Sequence, residues 1–402
     1  MGSRTPPRFV ARTMATTFGT VVLIRHPDAA HGRQPVRPGR GARRAQEFPR
    51  GVLTAMKRQS IAAAVLLALC SNAAAWAQES VAPRLSADTT VSATMFSSYK
   101  HVAAMFDATV SLDMGRGLTA IARPWAWKRQ DGTSTFEWYQ LQIRYQSRSR
   151  LPVRVDAGII TSPLGLNTLQ QRADLNPAIS TIFYYVAPLP RFDVTFDGLN
   201  MMSAGYPLGA IVTTSGARWD LRGGVTNSTP ARQRVELKRD EPPAMAQLVL
   251  GGGVTPRPGM RIGAGFAHGG YRSAAGAIPA ASATVLTLEG EYAFNQTRLS
   301  GEWVRDRFGT TPGPSIAHAF YLQGVQTITP RLFGAARVVR VQPPPLFLSG
   351  IRTNRTTAEL TAGYRLTRDW TVRGAYFRER RYLAPAWQHQ AAVSVVWSRR
   401  WY

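Results

Sequence analysis

The chain has 402 residues, with 49 Lys and Arg against 23 Asp and Glu, a formal net charge of +26 and a single cysteine. One cysteine excludes an internal disulfide framework. Such basicity would suit a nucleic-acid partner. The arginines are scattered singly along alternating segments, however, and no helix-turn-helix, finger or RNP motif accompanies them, so nucleic acid is excluded.

Residues 1–55 are rich in Arg and Pro and have no periodicity. They read as a disordered extension produced by a start assigned too early, with translation expected from Met56. Met56-Lys57-Arg58 is a short basic n-region, Ile61 to Leu69 an apolar run, and Ala75-Trp76-Ala77 a small-x-small site. Residues 56–77 are therefore expected to be a signal peptide cleaved after Ala77. The run is far short of the roughly 20 residues that span a bilayer as a helix. Leu67-Ala68-Leu69-Cys70 offers a lipobox alternative, but Leu69 stands where a small residue is required. Cleavage removes the only cysteine and lowers the net charge to +16. The basic residues are almost all Arg, since only residues 57, 100, 128 and 238 are Lys.

Beyond Gln78 no segment holds an amphipathic helical pattern for three turns. Stretches of about ten residues with period-two alternation recur instead, broken by Gly, Pro, Asn, Asp or Ser. They predict strands over 86–98, 102–113, 118–128, 135–147, 152–161, 205–214, 217–226 and 244–254. A second set follows at 259–268, 283–294, 297–306, 315–328, 331–341, 355–366, 369–381 and 388–402. In 135–147, Tyr139, Leu141, Ile143 and Tyr145 are expected to face lipid, with Trp138, Gln140, Gln142, Arg144 and Gln146 facing a wet lumen. Connections after even-numbered strands are short, as at Ser215-Gly216 and Asn295-Gln296. Those after odd-numbered strands are longer, including 162–204, 227–243, 269–282, 307–314 and 342–354. Short turns on one rim and long loops on the other indicate an all-β, transmembrane, antiparallel up-and-down β-barrel of sixteen strands over 78–402, in the bacterial outer membrane.

The last strand places Val393, Val395, Trp397 and Trp401 on one face, opposite Ala392, Ser394, Ser398 and Arg400. An unpaired apolar edge of this kind invites aggregation. A barrel removes the edge by pairing 388–402 with 86–98. Arg399, on the apolar face, is expected to snorkel at the rim. Trp397, Trp401 and Tyr402 resemble the aromatic ending by which outer-membrane barrels are recognised, which implies the barrel assembly machinery and membrane lipid as partners.

Sixteen strands enclose an aqueous channel rather than a packed core. Val153-Arg154-Val155-Asp156-Ala157-Gly158-Ile159-Ile160-Thr161-Ser162-Pro163-Leu164-Gly165-Leu166 resembles the segment that precedes the third external loop in the phosphate-selective porin superfamily. Tyr292 to Gly301 and Tyr364 to Trp370 resemble that superfamily's strand-turn-strand phrases. The resemblance implies a homotrimer, with the long third loop, 162–204, folded into the pore. Its charges, Arg172, Asp174, Arg191, Asp193 and Asp197, would then form the constriction, beside Phe183, Tyr184 and Tyr185. Opposed charges there would set up a transverse field that selects solutes by charge. They could equally pair with one another and hold the loop against the wall, and the two roles are not exclusive.

The less apolar strand faces give the candidate lumen residues Arg144, Arg154, Asp156, Arg218, Asp220, Arg222, Arg261, Glu289, Glu291, Arg298, Glu302, Arg337, Glu359, Arg365 and Arg373. Inward placement is the physical default, because Arg on the lipid face costs about 2–4 kcal/mol at the midplane. The Arg excess favours small anionic solutes mildly. The Lys-rich constriction of phosphate-specific members is missing, and neither metal nor cofactor is implied. The expected function is passive diffusion of small hydrophilic solutes. A barrel lipase or protease using His268 and a non-conducting structural barrel are the alternatives, and a gated transporter would need a plug domain ahead of the barrel.

Overall fold

The computed structural model describes residues 84–99, 101–147, 152–166, 172–182, 207–226, 246–272, 281–309, 313–344, 354–381 and 386–401. The proposed extension 1–55, the signal peptide 56–77 and the terminal Tyr402 lie outside them. The first eight strands are β1 (Arg84–Phe96), β2 (Ala103–Gly115), β3 (Leu118–Lys128), β4 (Ser134–Gln146), β5 (Val153–Ile159), β6 (Leu208–Ser215), β7 (Trp219–Thr226) and β8 (Gln247–Arg257). The second eight are β9 (Met260–Arg272), β10 (Ala281–Phe294), β11 (Thr297–Phe308), β12 (Ser315–Thr327), β13 (Leu332–Gln342), β14 (Arg355–Arg365), β15 (Trp370–Arg380) and β16 (Gln388–Trp401). Each strand pairs antiparallel with its neighbours in sequence. The ring closes between β1 and β16, from Ala87 opposite Trp401 to Phe96 opposite Ala392.

Alternation sorts the side chains. On β14, Thr357, Glu359 and Thr361 are buried inside, while Leu360 between them is 64% exposed on the outer face. On β16, Ser394 and Val396 are buried inside and Val393 is exposed outside. Leu141, Leu250, Leu288, Leu322 and Tyr376 continue the exposed apolar exterior. Such a surface suits hydrocarbon rather than water. Arg399 lies on that face at the short-turn rim, with its guanidinium 4.6 Å from the Trp401 ring centroid.

Two local features set the short-turn rim. Gly259 turns the chain between β8 and β9 at φ 80°, where a Cβ would lie 2.3 Å from the Ala293 carbonyl oxygen. Asn295 takes φ 49° between β10 and β11, a conformation Asn tolerates better than most residues.

The expectation for 135–147 needs one correction. The β3–β4 register shifts at Arg123 and Pro124, where proline has no N–H to give to the ladder. The resulting bulge turns Phe136 and Trp138 outward, both exposed. Tyr139 instead stacks on buried Trp125 at 4.6 Å. Beyond the bulge, Gln140, Gln142 and Arg144 face inward as expected.

Leu360 sits at mid-strand on the lipid-type face, so Leu360→Arg should destabilise the barrel by about 2–4 kcal/mol, read by equilibrium unfolding in lipid vesicles.

Candidate functional site

The interior wall is polar, and its charges are paired across strands. Between β7 and β10, Arg261 makes a two-point contact with Asp220, at 3.0 Å for both Nε–Oδ1 and Nη2–Oδ2. Its Nη1 lies 2.5 Å from Glu289 Oε1, which also accepts from Arg222 Nη2 at 2.9 Å. Glycine allows this chain of charges to lie flat. A Cβ at Gly253 would meet Arg261 Nη2 at 2.7 Å, and one at Gly263 would meet Glu289 Oε1 at 2.7 Å. The inward glycines of β8 and β9 are thus a floor for long side chains rather than a break in the sheet.

A second cluster lies between β4 and β5. Asp156 accepts from Arg144 Nε at 2.7 Å and Gln142 at 3.0 Å, and pairs with Arg154 Nε at 2.9 Å. Two guanidiniums share one carboxylate, and both remain partly open to the lumen. Next to it Asp107 and Arg123 form a pair with both side chains 1% exposed.

The connection between β5 and β6 carries the third feature. Its described segments, 160–166 and 172–182, make hydrogen bonds to inward-facing side chains on several strands. Leu166 N donates to Glu302 Oε2 at 3.0 Å, and Arg172 Nη2 donates to Thr90 Oγ1 at 3.1 Å. On β15, Arg373 Nη1 donates to the carbonyls of Ala173, Asn176 and Ala178 at 3.0, 2.5 and 3.1 Å. On β14, Glu359 Oε1 accepts from Ile179 N at 2.6 Å, and Ser180 Oγ donates to Glu359 Oε2. Arg337 on β13 completes the dock, reaching Ser180 Oγ at 2.6 Å and Glu359 Oε2 at 3.0 Å. Ile179 also packs on the cluster of Ala375, Phe377 and Ala392. Side chains that would otherwise line open lumen therefore satisfy the backbone of an irregular segment.

The expected site residues sort into groups. Arg222, Arg261 and Glu289 come together, as do Arg144 and Arg154 on Asp156. Arg337 and Arg373 face inward but are 3% and 4% exposed, buried against the connection rather than open to solute. Arg172 and Asp174 pair with each other at 2.9 Å, and Arg172 also reaches Thr90 on the wall. Glu291 and Arg298 face inward near the short-turn rim. One expectation is corrected. Arg218 lies in the turn ahead of β7 and is exposed at the rim, because β7 starts only at Trp219. Arg365, the last residue of β14, keeps inward parity at the short-turn rim, lying over the buried Phe333 ring and donating to the Pro330 carbonyl at 2.9 Å. Arg191, Asp193 and Asp197 lie outside the described residues. Trp397 and Trp401 both lie on the outer face of β16, with ring centroids 6.4 Å apart.

Some inward charges escaped the sequence reading. Arg123 was hidden by the proline after it. Arg355, Glu379 and Arg381 cluster at the long-loop rim, with Arg355 Nη2 2.6 Å from Glu379 Oε1 and Arg381 Nε 3.1 Å from Glu379 Oε2. Counting parity outward from Glu359 and Arg373 would have found the first two. Burial by itself would lower the Arg381 pKa, but the Glu379 carboxylate and the Tyr99 hydroxyl outweigh it and raise it. His268 faces outward and pairs with Thr284 Oγ1 at 2.9 Å, away from every inward carboxylate.

No family model and no curated protein matches the chain. Among solved structures, OmpF of Salmonella typhi in complex with daunomycin is 11% identical with a TM-score of 0.55, covering 79% of this chain and 97% of that one. This chain has a porin fold. An anion-selective porin from Comamonas acidovorans is 11% identical with a TM-score of 0.49 over 80% of this chain and 99% of that one. A loop-deletion form of OmpT, an outer membrane protein of Vibrio cholerae, is 8% identical with a TM-score of 0.48 over 79% of this chain and 99% of that one.

Removing one partner of a buried ion pair leaves the other charge uncompensated. Glu359→Ala should therefore cost about 3–5 kcal/mol, read as a shift of the unfolding midpoint.

Proposed function

We propose that the chain is an outer-membrane diffusion porin for small hydrophilic solutes, with a mild preference for anions and no catalytic role. The observation that carries this reading is the inner dock of residues 172–182. A closed barrel with an apolar exterior and a charged interior holds an irregular segment against its wall through Arg337, Glu359 and Arg373. A segment so placed narrows the lumen without filling it with apolar side chains, which is what a size-limited aqueous path requires. Arg172 and Asp174, with Arg191, Asp193 and Asp197 further along the same connection, form the constriction in this reading.

The direction of selectivity follows from the pairs. The Asp220–Arg261–Glu289–Arg222 chain and the Asp107–Arg123 pair are neutral in sum. Asp156 with Arg144 and Arg154, and Glu379 with Arg355 and Arg381, each carry one surplus positive charge, offset in part by the inward carboxylates Glu302 and Asp306 on β11. Anions are favoured, but weakly. A phosphate-specific site would need convergent cations without carboxylates. The chain works as a homotrimer in this proposal, delivered by its cleaved signal peptide and folded by the barrel assembly machinery.

Planar-bilayer recording of the purified protein should give steps of open conductance, and the reversal potential in a salt gradient should favour chloride over potassium. Strong cation preference or no conductance would overturn the reading. Arg172→Ala should shift that reversal potential towards cations, and an unchanged value would remove the connection's role in selectivity. Deleting Trp401 and Tyr402 should lower the amount of folded barrel in the membrane while leaving export intact, as measured by heat-modifiable mobility of membrane fractions.

A further inference from the structure

Five arginines project outward from one side of the barrel at the long-loop rim. Arg305 and Arg307 on β11, Arg340 on β13, and Arg378 and Arg380 on β15 share strand parity with Leu299, Val338 and Tyr376, all exposed on the outer face. Arg340 lies opposite Thr356, and Thr356 opposite Arg380. The two guanidiniums thus spring from positions two strands apart at one height, about 10 Å by strand spacing. Among the described residues, no Asp or Glu has outward parity anywhere on β10 to β16. On the long-loop half of β1 to β8 the only outward cation among them is Lys128. Among the described residues of these strands the positive charge is therefore gathered on one side and has no carboxylate on its own surface to meet it.

An outward arginine is costly in hydrocarbon, and that cost falls away towards the interface. Trp387 marks that level, with Arg378 and Arg380 at 4.8 and 5.4 Å from its ring centroid. Arg380 Nε is shielded from solvent and makes no hydrogen bond to the described residues. Below the belt the outer surface is cut back to small residues. Gly334, Ala336, Ala362 and Gly374 line a shallow groove bordered by Leu360 and Tyr376. Guanidinium groups prefer phosphate as a counter-anion because their fork matches its oxygens.

We propose that this belt binds the phosphate groups of anionic lipids in the leaflet at the long-loop rim, with an acyl chain lying in the groove beneath. The inference rests on the reading of the barrel as an outer-membrane protein. Native mass spectrometry of the detergent-purified full barrel, titrated with phosphatidylglycerol or phosphatidylcholine, tests it. Phosphatidylglycerol should be retained in preference to phosphatidylcholine, and inorganic phosphate at the same concentration should not displace it. Arg340→Gln with Arg380→Gln should weaken that retention by roughly tenfold or more, as each removed surface cation weakens anionic-lipid binding several-fold. Arg340→Lys with Arg380→Lys should keep most of it, and Lys128→Gln should leave it unchanged. Equal retention of both lipids, full retention by the double Gln variant, or displacement by inorganic phosphate would overturn the proposal. Single-channel conductance of the same variants separates the two readings. Normal conductance without lipid preference sinks only the lipid site, whereas lipid preference without conductance sinks only the pore.

Discussion

Every structural feature of this chain depends on the pairing of β1 with β16. A sheet with an apolar outer face cannot leave a row of N–H and C=O groups open in hydrocarbon, because nothing there can hydrogen-bond them. Closing the ring satisfies both edges at once. It also defines an inside and an outside, so parity along a strand becomes a choice between two solvents. The register from Ala87–Trp401 to Phe96–Ala392 places Ser92, Thr94 and Ser394 inward, where Thr94 donates to Ser394 Oγ at 3.0 Å.

Closure creates a second demand. A lumen ringed by sixteen strands is too wide for wall side chains to fill, and charged groups driven inward by the cost of facing lipid need partners. The protein meets this in two ways. Where β8 and β9 offer glycine, the charges of β7 and β10 lie along the wall and pair with each other. Where β13 to β15 offer Arg337, Glu359 and Arg373, the charges take up the backbone of the β5–β6 connection. The same arginines thus serve the loop's hydrogen-bonding needs and their own charge balance, which explains why they are buried in the barrel wall. The outer face handles charge differently, keeping its arginines at the two rims, where headgroups rather than protein carboxylates can meet them.

Legibility followed the range of each interaction. Strand number, the alternation of loop lengths and the β1–β16 partnership were readable because period-two patterning and turn residues are local. Inward placement of Arg222, Arg261 and Glu289 was readable from parity alone. Tyr139 was misplaced because a bulge opposite Pro124 changes parity without changing composition. Arg218 was read as a wall residue although it belongs to a turn, a matter of one or two residues at a strand end. The pairing of Arg172 with Asp174 could be posed from the sequence, but the contact that ties Arg172 to the wall is with Thr90, more than eighty residues away.

The sequence by itself determined that the chain forms a closed up-and-down barrel with an apolar exterior and a basic, polar interior, because the two faces of a strand answer to different solvents residue by residue. Only the tertiary structure decided which charges remain open to the lumen and which are taken up in docking the β5–β6 connection. Arg337 meets Glu359 because the β13–β14 register sets them opposite each other, and Arg373 meets the carbonyls of Ala173, Asn176 and Ala178 because the closed barrel brings the β5–β6 connection against β15; no periodicity along the chain records either.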